Sequence, residues 1–149
     1  MLKKYKIGFD IHGLLIFLII MIPTFIWSVV PASNDILRVE STTKVADTIG
    51  SVCQVLMIVA LCMLINQERS KLKFTGCIVA TIVFAVLYFA SWVFYYTGVT
   101  NAVVILGLTV CPCLAFLMFA IDRKNYIAVI PIIGFMVCHV IYGVLNFIV

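Results

Sequence analysis

The chain has 149 residues, 65% of them hydrophobic and 11% charged, with a net charge of +4. A soluble domain runs at roughly 45–50% apolar and about 25% charged, so a surface of this composition belongs in lipid rather than water. One compact unit fits the length, with no room for a second, soluble domain, and the modest positive charge calls for no nucleic acid partner.

Every Lys, Arg, Asp and Glu falls within residues 3–10, 35–47, 68–73 or 122–124. About 20 residues at roughly 1.5 Å each cross about 30 Å of hydrocarbon. The runs between the charged patches therefore predict an all-α polytopic bundle of five transmembrane helices, at about 11–30, 45–65, 74–96, 101–121 and 126–149. Helices are expected because lipid offers the backbone no hydrogen-bond partners.

The first run follows KKYK and ends near VVPAS, a pattern that a secretory signal shares. Its length and the proline beside the cut favour a retained helix. Pro23 lies inside it and predicts a kink. Trp27 falls at the membrane boundary, where an amphipathic ring is stable. Pro31 ends the helix, and Asn34 or Asp35 is placed to cap a short helix starting at Ile36. Leu37 and Val39 suit an interfacial turn, so the charged loop should fold back along the surface.

Asp47 opens the second span, near the positive end of its helix dipole. The third span ends YFASWVFYY, which brings Trp92, Tyr95 and Tyr96 to the same boundary as Trp27. Together, Trp27, Asn34, Asp35, Arg38, Asp47, Trp92, Tyr95 and Tyr96 form a candidate ligand-binding pocket with aromatic walls and polar groups, with Glu40 nearby. An aromatic belt beside a solvated loop accounts for the same pattern.

The fourth span carries Cys111-Pro112-Cys113 near its centre, and the fifth carries Cys138 and His139 at similar depth. Thiolates favour Cu(I), and this Cys-Pro-Cys resembles the metal-transit motif of copper-pumping P-type ATPases. The resemblance covers three residues, and the chain lacks a nucleotide-binding domain. Cys111, Cys113, Cys138 and His139 are thus a candidate copper site, against the plain reading of a proline kink among small residues that let helices approach. An ionisable side chain deep in a span is a functional candidate by default. The structural alternative for His139 is a hydrogen bond to Gln54 or Asn146. The six cysteines all lie in predicted spans, and no disulfide is expected. Asp10 and His12 are explained by interfacial placement. No paired intramembrane carboxylate, HExxH, GxSxG or glycine-rich phosphate loop is present, so no catalytic residue is assigned.

Eight of the ten basic residues (Lys3, Lys4, Lys6, Arg69, Lys71, Lys73, Arg123 and Lys124) fall on one side of this topology. Basic short loops stay cytoplasmic, which places the N-terminus inside and the C-terminus outside the cell (cytoplasmic) membrane.

Read whole, the chain resembles a family of small bacterial five-helix integral membrane proteins without an assigned activity. The resemblance is carried by IPTFIWSVVPASNDILRVES, LYFASWVFYYTGVTNAVVILGLT and FAIDRKNYIAVIPIIGF, and it implies a five-helix fold and no function. The tryptophan-rich sensory proteins share only the helix count; their loop motif is absent. The leading expectation is a non-enzymatic small-ligand binding, accessory or transport-related protein without a cofactor. Its expected partners are the lipid bilayer and either a second copy or another membrane protein. The alternatives are a copper(I)-binding protein and, more weakly, a membrane enzyme at the outer leaflet.

Overall fold

The structure, a computed structural model, describes residues 4–69 and 72–149. Lys3 and Lys71, two of the basic residues used for orientation, lie outside the described residues. Five helices carry the fold: α1 (Ile11–Val29), α2 (Lys44–Met63), α3 (Gly76–Tyr96), α4 (Ala102–Asp122) and α5 (Tyr126–Phe147). Each is long and apolar enough to span a membrane, and the chain is a multi-pass membrane protein. Large apolar side chains point outward along every helix, for example Leu18, Val55, Val86, Val103 and Ile130. Such a surface is untenable in water and expected against lipid.

Short polar side chains start four of the five helices by accepting a free backbone N–H. Asp10 takes that of His12 at 3.1 Å, Thr75 that of Ile78 at 3.2 Å, Asn101 that of Val104 at 3.0 Å and Asn125 that of Ala128 at 3.3 Å. Gly98 ends α3 at φ +90°, where a Cβ would be strained. Pro23, Pro112 and Pro131 lie inside α1, α4 and α5.

α4 is the innermost helix, with 56% of its most apolar window buried, against 11% for α1. It packs between α3 and α5, and α5 packs on α2. Without a hydrophobic force between helices in lipid, close approach depends on small residues. An added Cβ on Gly107 would stand 2.0 Å from Ser91 Oγ of α3, one on Gly143 2.7 Å from Thr109 Cγ2 of α4, and one on Gly134 2.9 Å from Cys53 Sγ of α2. α1 is the loosest helix. Its tight approach is at Gly13, whose added Cβ would meet the Leu61 carbonyl oxygen at 2.2 Å.

The sequence reading did not anticipate strands. Tyr5–Ile7 (β1) pairs antiparallel with Leu64–Asn66 (β2), with Tyr5 opposite Asn66. Backbone bonds extend the ladder, Gly8 N–H donating to the Met63 carbonyl at 3.0 Å and Asp10 N–H to that of Cys62 at 2.7 Å. The N-terminal segment is thereby tied to the end of α2.

Candidate functional site

Two polar clusters and one cavity organise the interior. The first cluster lies at the Asp10 end of the bundle. Asp10 is 5% exposed and Arg123 5% exposed. The Asp10 carboxylate accepts from Arg69 and lies 3.6 Å from Arg123 Nη2. Buried Asn125 donates to the carbonyls of Ala60 and Leu64 at 2.9 and 3.0 Å, and Asn66 donates to that of Lys124 at 2.8 Å. Interfacial placement therefore does not account for Asp10. It is the acceptor at the centre of an ion cluster joining α1, the α2–α3 connection and the α4–α5 turn. A charge this deeply buried persists only when paired.

The second cluster lies at the opposite end, where the sequence placed a pocket. Trp27 Nε1 donates to both carboxylate oxygens of Asp35, at 3.0 and 2.9 Å. Tyr95 OH donates to Asp35 Oδ1 at 2.7 Å, and Arg38 Nε to Oδ2 at 2.8 Å. Arg38 also donates to the Trp27 carbonyl at 2.7 Å and lies 5.0 Å from the centre of the Trp27 ring. Tyr95 OH accepts from Leu37 N–H at 3.1 Å, and Tyr96 OH donates to the Val30 carbonyl at 2.7 Å. Trp92 packs among them, its ring centre 6.2 Å from that of Trp27 and 5.6 Å from that of Tyr95.

Six of the eight predicted pocket residues thus meet: Trp27, Asp35, Arg38, Trp92, Tyr95 and Tyr96. They meet as a closed knot rather than as walls around a space: the polar atoms of Trp27, Asp35, Arg38 and Tyr95 bond one another, Tyr96 bonds the Val30 carbonyl, and the buried Trp92 N–H has no partner among the described residues. Asp35 stands at the N-cap position of the short 3-10 turn Ile36–Arg38, yet its side chain caps nothing. Its oxygens are committed to the knot. Burial alone would raise the Asp35 pKa; the bonds from Trp27, Tyr95 and Arg38, with the Arg38 charge, outweigh burial and hold it below its ordinary value. Asn34 is exposed beside the knot, and Asp47 belongs elsewhere.

Elsewhere is a cavity of about 480 Å³ between α1, α2, α4 and α5, touched by Tyr88 of α3. It runs from mid-bundle toward the Asp35 end. Ile20, Leu108, Pro112 and Phe116 make its deep wall. Asp47, Ser51 and Gln54, from successive turns of α2, face Phe135, Cys138, His139 and Tyr142 of α5 across it. Thr24 and Tyr88 close one side with a hydroxyl pair at 2.9 Å. Trp27 lines the cavity as well as the knot and so joins the two.

His139 stacks between Phe135 and Tyr142, at 4.9 and 6.1 Å between ring centres. It bonds neither of the partners expected for it. Asn146 instead serves Thr42 and Thr43, at 2.7 to 2.9 Å. Among the described residues, the side chains of His139 and Gln54 make no hydrogen bond, although both line the cavity.

The four residues of the predicted copper site are not brought together. Cys138 and His139 line the cavity. Cys113 is fully buried in α4 and donates to the Thr109 carbonyl at 3.2 Å. Cys111 is half-buried on the same helix. Among the described residues no three His, Cys, Asp or Glu side chains are grouped to hold a metal ion. The cysteines fit a packing role where they meet glycines, as Cys53 does at Gly134 and Cys138 at Gly50.

Gln54 was named in the sequence only as a partner for His139, and of the α1 residues that line the cavity only Trp27 was singled out, not Ile20, Met21 or Thr24. The legible signal was an amide at mid-span, a group that lipid cannot satisfy. No protein-family model matches this chain, and neither a curated protein nor a solved structure does.

Proposed function

We propose that this protein binds a small amphipathic molecule in the cavity between α1, α2, α4 and α5, without catalysing a reaction on it. The observation that carries the reading is the pair Gln54 and His139: two polar side chains at membrane depth, lining a space of about 480 Å³ and lacking a hydrogen-bond partner among the described residues. Both are half-buried, and a polar group left unpaired away from water costs up to about 1–3 kcal/mol. Ligand sites have this composition, with mostly apolar walls and a few placed polar groups, at volumes of roughly 300–1,000 Å³. The Asp35 knot supports the site from beside it by fixing Trp27.

The test is thermal melting of the detergent-purified protein with a panel of small aromatic amides, alcohols and amines. Gln54→Leu and His139→Leu replace a polar group by an apolar one of similar size. Each should raise the ligand-free melting temperature, corresponding to about 1 kcal/mol or more, and should abolish the ligand-induced rise seen in the wild type. If wild type and variants respond equally to the panel, the cavity is not the site.

A further inference from the structure

The side chains around the cavity also define the charge of what it takes, provided the cavity is the binding site as proposed above. The chain has six acidic residues. Asp10, Asp35, Glu40 and Glu68 each meet a basic partner, respectively Arg69 with Arg123, Arg38, Lys44 and Lys4. Asp122 accepts the Thr75 hydroxyl at the far end of the bundle. Asp47 is the exception that faces the cavity. Its Oδ1 accepts from the Thr43 hydroxyl at 3.1 Å, and among the described residues no basic side chain pairs with it. Lys44, one turn earlier on the same helix, is turned away to Glu40 at 2.7 Å.

The cavity lining contains Asp47 and neither Lys nor Arg. It also contains the rings of Tyr88, Phe116, Phe135 and Tyr142. Aromatic faces present negative potential and attract cations, and aromatic cages are the usual receptors for substituted ammonium groups. Trp27 already carries the Arg38 guanidinium over its ring, and Phe135 and Tyr142 each give one face to His139, so the Asp47 carboxylate is the main attraction for a cation and the rings chiefly receive its apolar part. A bare metal ion does not fit: one carboxylate is too few ligands, and among the described residues no three metal-binding side chains converge. We propose that the cavity takes an organic cation, a substituted ammonium bearing an apolar or aromatic group. Its charge lies toward Asp47 and its apolar part among the rings of α3, α4 and α5, with Gln54 and His139 available to a hydrogen-bonding substituent.

Equilibrium dialysis of the detergent-purified full chain tests this with two probes of similar size, benzyltrimethylammonium and the neutral N,N-dimethylbenzamide. The wild type is expected to bind the cation. Asp47→Asn should weaken that binding at least tenfold and leave binding of the neutral amide within twofold, which also shows that the variant is folded. Asp47→Glu should keep cation binding, and Glu68→Gln, at the exposed ion pair with Lys4 on the opposite end, should change neither probe. Cation binding that survives Asp47→Asn, or a wild type that takes only the neutral amide, overturns the cation assignment and leaves the cavity as a neutral site. A wild type that binds neither probe also overturns it. The broader reading is then decided separately by the melting behaviour of Gln54→Leu and His139→Leu.

Discussion

Asp35 accepts from an indole, a phenol and a guanidinium at once, and its side chain is 10% exposed. Removing it strands several donors at a membrane boundary. Asp35→Ala should lower stability by roughly 2–4 kcal/mol, the order expected when more than one buried donor loses its partner. Folding holds this carboxyl below its ordinary pKa. The stabilisation it brings is therefore complete above the unfolded value of about 3.9, and it is lost as pH falls below that value toward the folded one. The melting temperature should drop as pH is lowered through about 4, and Asp35→Asn should flatten that drop. An acid limb identical in the two proteins would remove Asp35 as its cause. The members of this knot were legible in the sequence because aromatic residues and a short charged loop reach the same membrane boundary. Its closed character was not, since that depends on which donor reaches which oxygen. Asp10 was misread for a related reason: its partner Arg69 is 59 residues away in the chain, and a single sequence carries no sign of that pairing.

Helices were the most legible level. The apolar runs at 11–30, 45–65, 74–96, 101–121 and 126–149 correspond to α1 through α5 with ends shifted by two residues or fewer. That is the scatter expected of helix ends. The β1–β2 pair was missed because two three-residue segments have no measurable period. Which helix lies beside which was also hidden, and the cavity depends on it. The α3–α4 interface offers a direct test of the packing. Gly107→Ala should cost about 1–3 kcal/mol by overpacking, since its methyl would stand 2.0 Å from Ser91 Oγ and 2.9 Å from Ser91 Cβ. Ser91→Gly removes both atoms. The double variant Ser91→Gly/Gly107→Ala should therefore be more stable than the sum of the single effects by about 1 kcal/mol or more, read from unfolding in mixed micelles. Simple additivity would show that these two helices do not touch there.

For the molecule as a whole, most of the described basic residues gather at the Asp10 end, and the aromatic knot, with Arg38, lies at the other. The positive-inside tendency predicts that the Asp10 end faces the cytoplasm, so a phosphatase reporter fused after Val149 should be active on the far side of the membrane. A reporter active in the cytoplasm would invert the orientation and with it the side from which the cavity is reached. The two ends are also built differently. Near Asp10, α1 is fastened by main-chain bonds to Cys62 and Met63 and lies against the backbone of Leu61 at Gly13. Near Trp27 it is held by side chains, with open volume behind it. A rod clamped at its base and propped at its tip swings from the base. Amide protons around Trp27 should then exchange with solvent sooner than those around Gly13, and the swing of that tip would set the width of the doorway through which a guest enters.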